Sequence, residues 1–228
     1  MSEFDKFAKV YNFNLDNILV SNIGVSSDYF TEYKVKELYE FFKDKNEPLN
    51  ILDFGCGIGK ASQFLANYFP NSNVYGIDIS EKSIKIAQNK VIKNCKFEVF
   101  NEEYFLLNKD FFDLIFISNV FHHIEYKEHL NLLINLRSIL KSNSYIYFFE
   151  HNTLNPLTQK IVKECEFDID AKLLNIWYAK NIFKKAGFNN ISFSFILFIP
   201  PFLKKLLFLE KYLKWLPFGG QYYIKGSK

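Results

Sequence analysis

Apolar and polar positions along this chain follow two different periods, and the switches between them outline a fold. Residues 1–46 read as helical: β-branched runs are missing, and Phe30, Tyr33, Val35, Leu38, Phe41 and Phe42 recur at roughly helical spacing. The pattern then changes. Leu49-Asn50-Ile51-Leu52-Asp53 predicts a short buried strand, Gly55 to Gly59 a turn, and the stretch to Tyr68 a helix that Pro70 ends. Asn73 to Asp78 predicts a second strand, and Ser80 caps a helix through Val91. Cys95 to Phe100 and Phe111 to Asn119 predict a third and a fourth strand, the fourth strongly apolar. A helix from about Tyr126 to Leu140 leads to a fifth strand, Ser144 to Glu150. A polar loop from His151 to Pro156 opens a segment that ends in a helix, Ile176–Ala186. Phe188 to Ile199 is strand-like, and Gln221 to Lys225 predicts the final strand.

Strands alternating with helices predict an α/β fold with a parallel sheet covered by helices on both faces. At 228 residues, with no internal repeat or low-complexity tract, the chain fits one domain. Its parts are a helical cap (1–46), a core (47–150) and a C-terminal half (151–228) with a helical insertion before the last strand.

Composition narrows the function classes. The apolar and charged fractions, 49% and 23%, are ordinary for a soluble globular protein. The aromatic share of 19% accompanies an abundance of Lys and Asn and matches a codon bias, which carries no functional information. A net charge of +3 is too small for a nucleic-acid footprint, which needs clustered Lys or Arg on one face. Cys56, Cys95 and Cys165 are widely spaced and form no CxxC pair or zinc spacing, so no metal site is expected. The opening MSEFDKFAKVYNF is mixed polar and acidic, unlike a signal peptide, and no apolar run approaches the ~18 residues of a membrane span. A cytoplasmic location is expected.

The chemistry concentrates in Asp53-Phe54-Gly55-Cys56-Gly57-Ile58-Gly59. A glycine-rich turn between strand and helix lets backbone approach a cofactor where a Cβ would collide. Glycine alone is weak evidence, because such turns also serve helix–strand packing. The spacing here is GxGxG with Lys60 next, so the dinucleotide pattern GxGxxG is not met. Asp53 stands two residues before the first glycine, where a carboxylate would pair an ammonium group. Asp78, at the end of the second strand, can accept both hydroxyls of a ribose or simply form a turn before Ser80. Asn101-Glu102 follows the third strand, where a side-chain oxygen and a backbone N–H can read an adenine edge.

These residues, with Phe112-Asp113-Leu114-Ile115-Phe116-Ile117-Ser118-Asn119 and Val120-Phe121-His122-His123-Ile124, resemble the class I S-adenosylmethionine (SAM)-dependent methyltransferases of small-molecule type. The resemblance runs from residue 49 to about residue 150. It implies a Rossmann-like, seven-stranded, mostly parallel sheet whose last strand is antiparallel, with SAM as cofactor. It further implies that Asp53, Gly55, Cys56, Gly57, Gly59, Asp78, Ile79, Asn101 and Glu102 line the SAM pocket, with Ser118 and Asn119 near its methionyl end. Many relatives carry Asp where this chain has Asn101, which keeps an acceptor oxygen. Glu150-His151-Asn152-Thr153-Leu154-Asn155-Pro156-Leu157-Thr158 and Pro217-Phe218-Gly219-Gly220-Gln221-Tyr222-Tyr223 look like segments of a bacterial subfamily associated with surface-polysaccharide or glycolipid assembly. That likeness points to O-methylation of a sugar or related small-molecule acceptor. A SAM-binding protein without catalysis and a methyltransferase acting on nitrogen remain as alternatives.

Methylating a hydroxyl requires an aligned acceptor and a group to take its proton. Ligands of open α/β sheets bind beyond the carboxyl ends of the strands, so His123 and His151 are the candidate bases, with Glu150 placed to orient either imidazole. His129 reads as a surface residue. Tyr11, Tyr33 and Lys34 belong to the cap, where Lys34 reads as a solvated helix lysine, with pairing to the SAM carboxylate or to an anionic acceptor as the alternative. In Pro200–Phe218, read as a helix, Leu206, Leu209, Leu213 and Leu216 share one face and Lys204, Lys205, Lys211 and Lys214 occupy much of the rest. The pattern fits a lid, a dimer contact or a peripheral membrane contact.

Overall fold

The computed structural model describes residues 24–42, 47–165 and 171–228, together with Asp5, Asp16 and residues 19–21. Tyr11 and much of the expected cap lie outside the described residues. The cap is represented by α1 (Ser27–Phe42). Alternation then proceeds through β1 (Asn50–Phe54), α2 (Lys60–Tyr68), β2 (Asn73–Asp78), α3 (Glu81–Asn89), β3 (Cys95–Val99), α4 (Glu103–Leu107), β4 (Phe112–Ser118) and α5 (Tyr126–Ile139). Next come β5 (Leu140–His151), α6 (Pro156–Glu164), α7 (Ile176–Lys185), β6 (Asn189–Ile196), a 3-10 segment (Pro201–Leu209), α8 (Glu210–Leu213) and β7 (Gln221–Ser227).

The seven strands form one sheet in the order β3-β2-β1-β4-β5-β7-β6. The pairs among β1 to β5 are parallel, and β7 runs antiparallel to both β5 and β6. The period-2 rule explains how the sheet is filled. In β4, Ile115 and Ile117 face one layer with Leu133, Leu136 and Ile139 of α5 and Ile182 and Phe183 of α7. Their neighbours Leu114 and Phe116 face the other layer with Val35 and Leu38 of α1 and Leu65 of α2. Near-continuous apolar runs are what a sheet buried on both faces needs. Burying each such side chain stabilises the fold by about 1.5–3 kcal/mol.

Ser80 caps α3 as its sequence position predicts, its side chain accepting the Ser83 N–H at 3.2 Å. Three readings change. β5 begins at Leu140 and not at Ser144, because Leu140 already pairs with Phe112 ahead of a register shift. Pro156 starts a helix where a loop was expected: Asn155 caps it by accepting the N–H groups of Leu157 and Thr158, and proline is well tolerated at the first helical position. His129 is fully buried, not on the surface. Its Nδ1 meets the Tyr178 hydroxyl at 3.0 Å, its Nε2 meets the carbonyls of Phe121 and Ile124 at 3.0 Å, and burial lowers its pKa.

The two segments 150–158 and 217–223 clasp each other. Asn152 Nδ2 donates to the carbonyls of Pro217 (3.0 Å) and Gly219 (2.7 Å), and Asn155 Nδ2 to that of Phe218 (2.7 Å). Thr158 donates to the Gly220 carbonyl at 2.8 Å. A Cβ at Gly219 would lie 2.4 Å from the Ile196 carbonyl oxygen, so only glycine allows this approach to β6.

Candidate active site

A cavity of about 1330 Å³ opens beyond the carboxyl ends of β1 and β4, where the strand order reverses direction. In open α/β sheets this switch point is where ligands bind. The glycine turn forms one wall. Gly55 and Cys56 donate their N–H groups to the Ile77 carbonyl (2.8 and 3.0 Å), and Gly57 N–H donates to Asp78 Oδ2 (2.8 Å), which ties the turn to the end of β2. Gly57 has φ +53°, and a Cβ there would meet nothing within 4 Å. That open space belongs to the cavity, which Gly55, Cys56 and Gly57 all line. Gly59 does not line it. A Cβ at Gly59 would sit 2.9 Å from the Phe97 ring and 3.1 Å from Ala87, so this glycine serves packing on α3 and β3.

Asp53, Asp78 and Ile79 line the same cavity, as does Glu102. Asn101 falls outside the lining, its carbonyl accepting the Tyr104 N–H (3.1 Å) at the entry to α4. Asp53 is buried, and its Oδ2 accepts from Ser62 at 2.5 Å. Burial pushes its carboxyl up to about 7. Burial also raises Asp78, whose Oδ1 accepts the Ser80 N–H at 2.8 Å.

Ser118 and Asn119 complete the wall after β4. Lys34, expected in solvent, is buried in the cavity lining, because α1 packs across the end of the sheet and points this side chain at β4. Its Nζ donates to Ser118 Oγ at 2.7 Å. Burial draws its ammonium down to about 7, against an opposing pull from Glu150. A buried acid and a buried base, each far from its ordinary pKa, therefore share one cavity.

The end of the cavity near β5 holds a second charged group. Glu150, fully buried near the end of β5, accepts the Phe121 N–H with Oε1 (2.9 Å) and meets His122 Nδ1 with Oε2 (2.6 Å). Burial by itself would raise this carboxyl; the imidazoles of His122 and His151 and the Phe121 N–H outweigh it and hold Glu150 below the usual range. The imidazole that Glu150 orients is thus His122, not His123. The His122 ring lies 4.1 Å from that of His123 and 5.2 Å from that of His151, and all three line the cavity.

Among the described residues, four buried side-chain polar atoms have no hydrogen-bond partner, and three of them border this cavity: Tyr29 Oη, Asn119 Oδ1 and Gln221 Oε1. Buried polar atoms are nearly always satisfied, so this grouping leaves three polar groups at the cavity able to meet a polar ligand. Tyr29 and Gln221 carry no local sequence motif of their own. Gln221 follows the Gly219-Gly220 pair of the clasp, which is the signal that leads to it. No group of His, Cys, Asp and Glu among the described residues is arranged to hold a metal ion.

The sheet order, the antiparallel seventh strand and the cavity at the switch point define the Rossmann-like fold of SAM-dependent methyltransferases. A solved SAM-dependent methyltransferase from Archaeoglobus fulgidus superposes with a TM-score of 0.68 at 20% identity, covering 93% of this chain and 98% of that one. Magnesium protoporphyrin IX methyltransferase from Synechocystis PCC 6803, solved with bound S-adenosylhomocysteine (SAH), gives a TM-score of 0.66 at 18% identity, covering 98% and 97%. Residues 45–173 match the family model described as a methyltransferase domain, and the chain belongs to that family. Malonyl-acyl-carrier-protein O-methyltransferase 2 of Ilyobacter polytropus is 38% identical over 110 residues, 47% of this chain and 41% of that protein. Release factor glutamine methyltransferase of Fusobacterium nucleatum is 42% identical over 93 residues, 39% of this chain and 26% of that protein. The chain thus spans less than half the length of either curated relative.

Proposed function

We propose that this protein transfers a methyl group from SAM to a hydroxyl oxygen of a small-molecule acceptor, with a sugar or glycolipid as the acceptor class. The observation that carries the reading is the charge layout of the cavity. Its residues fit the cofactor: Gly57 leaves a side-chain-sized gap, Asp78 offers carboxylate lone pairs at the ribose position, and Asn119 presents an orphaned buried carbonyl oxygen. Asp53 and Lys34 suit the two charges of an amino-acid end, the carboxylate facing the ammonium and the Lys34 ammonium facing the carboxylate. SAM supplies an activated methyl and its own leaving group when bound. The protein aligns the acceptor and removes its proton. The Glu150–His122 contact fixes the imidazole with Nε2 as the basic nitrogen; the hydroxyl proton passes to it as the oxygen bonds the methyl carbon. His123 and His151 flank this base and contact the acceptor.

The similarity to malonyl-acyl-carrier-protein O-methyltransferases favours a second reading, a carboxylate acceptor. A carboxylate is already ionised and needs no base, so the two readings separate on one variant. For a hydroxyl acceptor, His122→Ala lowers turnover with labelled SAM across a panel of glycan and acyl acceptors. For a carboxylate acceptor, turnover persists.

A further inference from the structure

The 200–218 segment does not form the continuous α-helix read from the sequence. It is a 3-10 segment kinked at Leu203 (φ −97°, ψ 36°), followed by the single turn α8. The consequence is a run of exposed rings in place of one apolar stripe. Phe202, Phe208, Tyr212, Trp215 and Phe218 each remain 62–76% exposed. Leu154 and Leu157 are also exposed, on the segment whose Asn155 holds the Phe218 carbonyl. Exposed apolar residues are unremarkable singly; several large ones within one short segment mark an interaction surface.

Charge decides what the surface meets. The one acid of the segment, Glu210, is buried and points inward, accepting the N–H groups of Phe198 and Ile199 (3.0 Å each) and the Tyr33 hydroxyl. Lys214 is turned to Glu37 of α1. Lys205 and Lys211 stay exposed, Lys211 over the Tyr212 ring at 4.8 Å. The outward charge of the described side chains here is entirely positive. A symmetric contact with a second copy would set these lysines against their own counterparts with no acid between them. An anionic lipid surface offers both complements, headgroup charge for the lysines and an interfacial layer for the aromatic rings.

We infer that residues 200–218 dock the protein on anionic membrane surfaces. The segment is braced, since Tyr33 and Glu37 tie it to the helix that also carries Lys34. It borders the cavity, which Pro200 and Leu157 line, so a bilayer on this segment lies beside the mouth through which an acceptor enters. Docking does not depend on the methyl-transfer reading.

The test is sedimentation of the full chain with vesicles of phosphatidylcholine alone or with added phosphatidylglycerol, in low and high salt. Binding is expected only with phosphatidylglycerol, and at least tenfold weaker in high salt and in a Lys205→Glu/Lys211→Glu variant whose thermal melt is unchanged. Trp fluorescence should shift to the blue on binding in Trp177→Phe and stay unshifted in Trp215→Phe. Absence of sedimentation with phosphatidylglycerol vesicles at low salt by a folded sample overturns the inference. So does equal binding to neutral vesicles, or a dimer that the Trp215→Ser change dissociates.

Discussion

The two halves of the cavity, proposed to hold cofactor and acceptor, are built by different means. Around β1 and β2 the site is local: Asp53, Gly55 and Gly57 lie within five residues, and Asp78 reaches back to hold the Gly57 N–H. Around β5 and β7 it is assembled over long separations. His122 meets Glu150 across 28 residues, and Asn152 meets Gly219 across 67. On the proposed function the first half holds a ligand shared by many enzymes, and a short turn suffices. The second must suit one acceptor, and loops carried by a rigid sheet give it a surface that can differ while the sheet stays fixed.

The comparison breaks most sharply at His122. If the acceptor half contains the base, His122→Ala lowers kcat about 10²–10⁴-fold while SAH affinity stays within a few-fold. Loss of SAH binding instead would make the two halves one unit. Glu150→Gln should follow the same direction, with the imidazole still present but no longer held by a carboxylate.

On the cofactor side, Asp78→Ala removes a charged acceptor and should weaken SAH by about 10–150-fold, the equivalent of ~1.5–3 kcal/mol for hydrogen bonds to a charged group. Calorimetry reads this directly, and unchanged affinity would reduce Asp78 to a turn residue.

Titration sharpens the charge layout. With Asp53 near 7, a proton must leave it before an ammonium can pair there, so affinity rises with pH up to about 7. With Lys34 also near 7, it must gain a proton to meet a carboxylate, so affinity falls above about 7. SAH affinity should therefore peak near neutrality and drop about tenfold per unit well below it. A flat profile from pH 5 to 9 would mean that neither group changes charge on binding.

The smallest effect belongs to the clasp. Asn152→Ala leaves the Pro217 and Gly219 carbonyls without their donor, at about 1–3 kcal/mol. A melting temperature lowered by several degrees is expected, with SAH affinity preserved. A fall in SAH affinity would show that the acceptor end shapes the cofactor end.

What the sequence discloses follows the same division. β2 lies where its pattern predicts, and the Asp53–Gly57 turn and Asp78 line the cavity as the resemblance implies, because each depends on neighbours in the chain. Lys34 reads as a solvated helix residue since only the packing of α1 over Ser118 buries it. That Glu150 contacts His122 and not His123 is hidden for a similar reason: adjacent residues look equivalent until β5 supplies Glu150 behind one of them. Asn101 and Gly59 show the converse, residues in expected positions that the cavity does not reach. In 200–218 the apolar spacing is helical, yet the prolines at its start and the kink at Leu203 give a 3-10 path that no periodicity encodes. No helix among the described residues is long and apolar enough to cross a membrane.

On the proposed function, Asp53 and Lys34 match the cavity to the charged amino-acid end of SAM. Calorimetric titration of the protein at pH 7 with SAH and with 5′-methylthioadenosine, which keeps the nucleoside and lacks that end, tests it most directly. SAH should bind at least tenfold more tightly, and Lys34→Met should close most of the gap by weakening SAH alone. Equal affinities in the unmodified protein would contradict the account.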